Sequence, residues 1–156
     1  MSGMPAPSGE EKDKEAPMSI QRNKEAMKRF ETMINTCDGA LAEELVDPGA
    51  SFSTPASSEP VYGPQGYLGV VRFMRQGFPD VQWKLEEMAA EGDVVAVRWT
   101  CTGTHEGVFL GRRPTGRRFS ATVMNFYRFG PDGRITDDVA AEGMLAILRQ
   151  IGFVNF

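Results

Sequence analysis

Apolar residues recur at helical intervals along the first half of the chain and alternate along most of the second. Ile20, Met27, Phe30, Met33 and Ile34 are spaced close to the helical repeat of about 3.6 residues, which predicts an amphipathic helix capped by Ser19 and running to about Thr36. The run DGALAEELV (38–46) predicts a short second helix that begins at an aspartate cap and is stopped by Pro48. ASFSTPASSEPVYGP (50–64) predicts a short strand followed by a loop. A third helix is expected over 64–78, with Pro64 at its start and Tyr67, Leu68, Val71 and Met74 or Arg75 along one face.

Beyond Phe78 the period changes to two. Val81, Trp83 and Leu85 share one parity and Met88 the other, so a β-bulge near Glu86–Glu87 is expected in the first long strand. Over 93–105, Val95, Val97, Trp99, Cys101 and His105 share a face, while Arg98, Thr100, Thr102 and Thr104 take the other. Over 117–129 the inner set is Phe119, Ala121, Val123, Asn125 and Tyr127. GPDG (130–133) is a turn by composition, followed by a last strand, RITDDVAAE, and an apolar C-terminal segment, GMLAILRQIGF. Helices followed by long antiparallel strands predict an α+β domain. A bent sheet closing over the N-terminal helices would leave a concave, half-apolar pocket.

Composition narrows the partners. A chain of 156 residues, 41 % apolar and 24 % charged, has the size and make-up of one soluble domain. The domain is expected over 19–156, because residues 1–18, rich in Pro, Gly, Ser and charge, have little to bury and predict a disordered tail. A formal net charge of −4 argues against a nucleic-acid or anionic-membrane partner. Arg112, Arg113, Arg117 and Arg118 form a basic cluster that suits a solvated hairpin rim better than a phosphate site. Cys37 and Cys101 predict two reduced thiols, and one histidine without a CxxC pair offers no structural zinc spacing, so no metal is expected. No apolar run is long enough to span a bilayer and no secretory h-region is present, so a cytoplasmic location is expected.

Several blocks carry a family likeness. NKEAMKRFETMIN (23–35), GFPDVQWKLEEMAAEGDVVAVRWT (77–100), GTHEGVFLGRRPTGRRF (103–119), YRFGPDGRI (127–135) and LRQIG (148–152), taken together, resemble the SnoaL-like polyketide cyclase or ester-cyclase family over about residues 20–152. The resemblance implies a cone-shaped α+β barrel of the nuclear-transport-factor-like superfamily, with a strongly bent mixed sheet wrapped around N-terminal helices. It also implies a homodimer and a cofactor-free enzyme acting on a bulky hydrophobic metabolite. In the founding cyclases an aspartate removes an acidic α-proton and the enolate closes a ring by aldol attack. The position of that aspartate is Ala140 here, that of a partner histidine is Asn125, and that of an asparagine before the first strand's proline is Thr54. All three depart from the cyclase pattern.

Other residues then become candidates. If Ala140 faces the pocket, strand alternation turns Asp138 and Glu142 the same way and Asp137 outward. A carboxylate beside the apolar wall from Trp99 and Val123 would have a raised pKa and suit acid–base work. Asn125 lies on an apolar strand face, where it needs a ligand, a water or a neighbouring strand to bond. His105, the only histidine, has two readings: a packed, hydrogen-bonded loop residue, or a general base or substrate donor. Asn125, Asp138 and His105 are therefore the candidate catalytic residues. Trp99, Tyr67, Thr54, Phe109, Tyr127, Ala140 and Glu142 are the candidate substrate contacts, with Phe73 and Met124 as further pocket-wall or core residues.

Two functions fit. One is a small cofactor-independent enzyme of secondary metabolism, a cyclase, isomerase, lyase or hydrolase, performing ring closure, isomerisation or epoxide opening on a polyketide-like or terpenoid substrate. The other is a non-catalytic protein that binds a hydrophobic ligand on the same fold.

Overall fold

The computed structural model describes residues 9–54, 57–141 and 143–156, with side chains from Ser19 onward. α1 (Gly9–Thr36) extends back from the expected Ser19 start into EEKDKEA, a run of mostly good helix formers; residues 1–8 of the expected tail lie outside the described residues. Cys37 takes a left-handed φ of 54°, and the Asp38 amide returns to Met33 O (3.2 Å), which ends the helix. The Asp38 carboxylate then accepts from Leu41 N (3.0 Å) and opens α2 (Gly39–Leu45), as its sequence predicts. One tight corner therefore lays α2 back against α1.

β1 (Val46–Ser53) starts four residues before the expected strand, and its pairing is interrupted between Val46 and Ser51, where Pro48 has no N–H to give. β2 (Val61–Tyr62) pairs with it and leads into α3 (Gly63–Gly77), with Pro64 in its first turn. Four more strands follow: β3 (Gln82–Glu91), β4 (Val94–Thr104), β5 (Arg118–Phe129) and β6 (Ile135–Ala140). The expected bulge is present, the register of β3 on β4 shifting between Leu85 and Glu87. The six strands form one mixed sheet in the order β2–β1–β6–β5–β4–β3, antiparallel throughout except for the β1–β6 pair. The C-terminal apolar segment forms α4 (Met144–Gln150).

The helices cover the inner face of this curled sheet. Asn35 imitates a neighbouring strand, donating to Trp83 O (2.7 Å) and accepting from Trp83 N (2.9 Å). Glu31 accepts the Leu85 amide beside the bulge, so the end of α1 closes the exposed edge of β3. Two apolar clusters fill the interior. Met27, Phe30, Phe52, Trp99 and Tyr127 belong to one; Phe78, Phe109, Phe119, Ile147 and Ile151 belong to the other. Among the described residues no helix is long and apolar enough to cross a membrane.

Candidate active site

A cavity of about 90 Å³ lies where the two apolar clusters meet. Its floor is the inner face of the sheet: Trp83 from β3, Trp99 and Cys101 from β4, Val123, Asn125 and Tyr127 from β5, and Asp138 and Ala140 from β6. Ile34, then Tyr67, Val70, Val71 and Met74 of α3, form the helical wall; Thr54 and the segment carrying Gly143, Met144 and Ile147 close the remainder. Among the described residues no Lys, Arg or His side chain lines it.

Strand register places the polar groups. β6 lies between β1 and β5, so Asp138 faces Phe52 on one side and Tyr127 on the other and cannot turn to solvent. It is 1 % exposed. Ala140 pairs with Asn125, one step along the same face, and the Asn125 amide donates to Asp138 Oδ1 at 2.9 Å. Burial pushes the Asp138 carboxyl up to about 7, opposed by the Asn125 hydrogen bond and assisted by the neighbouring charge of Asp137. Near neutrality the group is thus present in both protonation states, the condition for one side chain to accept a proton and later return it.

Three hydroxyls line the same cavity, those of Tyr67, Tyr127 and Thr54. Burial, with the Asp138 charge as a further cause, raises the Tyr67 and Tyr127 phenols above their ordinary range, so both stay protonated donors. Their rings are held edge-on against Phe30, at 5.0 Å for Tyr67 and 5.3 Å for Tyr127. Thr54 Oγ1 is buried in the cavity wall without a hydrogen-bond partner. Cys101 offers no nucleophile, since burial pushes its thiol to about 12. Among the described residues, no three His, Cys, Asp or Glu side chains are grouped to hold a metal ion.

Seven expected site residues thus converge on one cavity: Asn125, Asp138, Trp99, Tyr67, Tyr127, Thr54 and Ala140. His105 and Phe109 do not line it. The loop between β4 and β5 folds back onto the end of α3, with the Glu106 and Gly107 amides both donating to Gly77 O, and this carries His105 away from the cavity. Its Nδ1 accepts from Thr115 N at 3.1 Å and lies 3.0 Å from Thr115 Oγ1, while its ring packs on Phe153 and Phe78. The ring is fully buried, and burial lowers its pKa against the effect of a Gly107 backbone hydrogen bond. This placement is that of the packed, hydrogen-bonded loop residue, one of the two readings its sequence offers.

Phe109 fills the second apolar cluster, against Phe73, Phe78 and Phe153. Met124 points to the outer face and is 54 % exposed. Glu142 lies outside the described residues. The cavity residues not singled out beforehand include Trp83, Met144 and Ile147. Trp83 shares the inward parity of Val81 and Leu85, a signal visible in the sequence, but only the packing of α4 on the sheet brings Met144 and Ile147 to the cavity.

Comparison with known proteins agrees with this architecture. Residues 24–151 match the family described as SnoaL-like polyketide cyclase. Aklanonic acid methyl ester cyclase DauD of Streptomyces sp. (strain C5) is 30 % identical over 114 residues, covering 72 % of this chain and 67 % of that protein. Aklanonic acid methyl ester cyclase DnrD of Streptomyces peucetius is 31 % identical over 111 residues, covering 70 % and 72 %. Among solved structures, TsrD from Streptomyces laurentii superposes with a TM-score of 0.73 at 23 % identity, over 86 % of this chain and 97 % of that one. Wild-type IdmH from Streptomyces antibioticus does so with a TM-score of 0.71 at 28 % identity, over 83 % and 98 %.

Proposed function

The chain belongs to the SnoaL-like polyketide cyclase family, and on that premise we propose that it closes a ring in an uncharged polyketide-like ester, with Asp138 as the acid–base group. The observation that carries this reading is a buried carboxyl near its neutral point, held by Asn125 in a largely apolar cavity. The chemistry is balanced without a cofactor. Asp138 as carboxylate takes a proton from a carbon activated by flanking carbonyls. The enolate oxygen accepts hydrogen bonds from the Thr54 and Tyr67 hydroxyls, and Asn125 keeps the carboxyl aimed. The enolate carbon bonds to a second carbonyl carbon of the same molecule, and the resulting alkoxide takes the proton back from Asp138. Substrate and product are then isomers.

The lining argues for the substrate class. With no cationic side chain among the described residues of the cavity, a free carboxylate would be buried unpaired at high cost, whereas an ester would not. Asp138 is also displaced by two residues along β6 from the position the family aspartate would take, at Ala140. Because the side-chain period of a strand is two, it keeps the same face. The protein is further proposed to work in the cytoplasm as a homodimer through the outer sheet face, where Met124, Phe126 and Val139 stand exposed. A Phe126→Glu variant should be smaller in analytical ultracentrifugation.

The test is incubation of the protein with aromatic polyketide methyl esters in D₂O, with loss of the α-proton signal followed by NMR and ring closure by mass spectrometry. Asp138→Asn should slow both by roughly 10²–10⁴, the usual contribution of a positioned acid–base group. Equal rates in the variant and the wild-type protein would defeat the assignment. A compound held tightly but recovered unchanged and unexchanged would favour the binding-protein reading instead.

A further inference from the structure

The cavity is too small for the ligand just proposed. At about 90 Å³ it falls well short of the roughly several hundred Å³ of sites that take multi-ring ligands. One wall has to move. At the centre of the sheet floor β4 and β5 are tied by an unbroken ladder, pairing from Val94↔Arg128 to Thr104↔Arg118. The end of α1 is clamped to β3 through Asn35, and α3 is a 15-residue helix whose end is strapped by the β4–β5 loop. α4 is the exception.

Its fastenings are gathered at one end. The Gln150 side chain grips the Ser120 backbone twice, accepting from Ser120 N at 2.8 Å and donating to Ser120 O at 3.0 Å. Ile151 is fully buried, and the Phe153 ring lies edge-on to His105 at 5.3 Å with the Arg112 guanidinium above it at 4.6 Å. At the other end, Gly143 supplies no capping side chain. Between the Ala141 amide, which donates to Met124 O, and Gln150, no hydrogen bond among the described residues ties the segment to the rest of the chain. This turn, held to the sheet by apolar packing without hydrogen bonds among the described residues, carries Met144 and Ile147 into the cavity wall.

We propose that α4 is the access flap of the cavity: its first turn lifts Met144 and Ile147 off the site about an anchor at Gln150–Phe153, and so admits a fused-ring ligand. This rests on the reading of the cavity as a ligand site and adds the route by which the site is filled. It also gives His105 a part, as a packed base for the anchor rather than a group in the chemistry.

The flap can be locked. A Cβ built on Gly143 lies 3.3 Å from Val123 Cγ2, so cysteines at 143 and 123 are within reach of a disulfide. The experiment uses V123C/G143C in a Cys101→Ala background, so that the native cavity thiol cannot mispair. The two tryptophans of the chain, Trp83 and Trp99, both line the cavity, and their fluorescence reports occupancy. Methyl 3-hydroxy-2-naphthoate, an uncharged two-ring ester, is the probe. Quenching should be lost on oxidation and restored by dithiothreitol, while the C101A parent is indifferent to both. Equal quenching in the oxidised and reduced forms overturns the proposal.

A second measurement needs no ligand. N-ethylmaleimide labelling of native Cys101, ratioed to Cys37 by peptide mass mapping, should rise at least threefold in Gln150→Ala, read at a urea concentration far below its unfolding midpoint. An unchanged ratio also overturns the flap, whatever the probe does. Gated binding without ring closure would count against the proposed reaction alone.

Discussion

Replacing Asp138 with asparagine should make the protein more stable at alkaline pH while removing its activity, and the size of the gain follows from the geometry. The Asp138 carboxyl is 1 % exposed and titrates near 7, against 3.8 for the ordinary side chain. In the unfolded chain it ionises near the ordinary value. The folded state therefore holds the extra proton between these two points, and stability falls as pH rises through that window. Below about pH 4 the group is protonated in both states and costs nothing; above about pH 7 it is charged in both, and the full penalty is present. A shift from 3.8 to about 7, at 1.36 kcal/mol per unit, amounts to about 4 kcal/mol. That is a large share of the roughly 5–15 kcal/mol that a domain has in total. The substituted amide would keep the shape and a hydrogen-bonding group for Asn125 without the charge. Urea unfolding of wild-type protein and Asp138→Asn at pH 4.5, 6 and 8 isolates the term, because other titrating groups cancel in the difference. The stabilisation by D138N should be small at pH 4.5 and grow to about 4 kcal/mol at pH 8. A pH-independent difference, or a variant less stable at pH 8, would refute the account of a desolvated carboxyl in an apolar cavity.

Three further outcomes follow from the same structure. Asn125→Ala removes the hydrogen bond that lowers the Asp138 pKa, so the rising limb of kcat/KM should move to higher pH; an unmoved limb would show that Asn125 does not touch the charged form. His105→Ala should cost about 1–3 kcal/mol in unfolding free energy, because it empties a packed site and strands Thr115 N, yet leave the α-proton exchange rate within about twofold. A collapse of exchange in a still-folded variant would return His105 to the chemistry. Gly107→Ala drives a Cβ into Gln76 O, a clash with backbone that only displacement of the loop relieves. Its melting temperature should fall by more than about 5 °C, and an unchanged one would mean that the strap on α3 is not structural.

The amino-acid order alone determined which residues share a face. Alternation in β4 and β5 placed Trp99, Cys101, Asn125 and Tyr127 inward, and the parity break between Leu85 and Met88 located the bulge that the register of β3 on β4 contains. Parity also put Asp138 on the side of Ala140. These properties are local: a period of two or of about 3.6 follows from backbone geometry and survives whatever the rest of the chain does. Met124 shows where parity has to be applied strictly, since it lies one residue from Asn125 and faces the opposite way.

Tertiary structure decided which inward residues form the site and which fill the core. His105, the first residue after β4, continues the inward parity of Trp99, yet it packs within the folded-back loop while Trp99 lines the cavity. Met144 and Ile147 reach the cavity from a helix that the chain delivers after the last strand. An apolar strand face lets the sequence expect a raised pKa at Asp138, but the burial that produces it is tertiary. It arises because β6 is flanked by β1 and β5 while α3 and α4 cover the face, and together these exclude the water that would solvate a carboxylate. A local pattern can say which way a side chain points, but the dielectric it points into is made by segments distant in the chain.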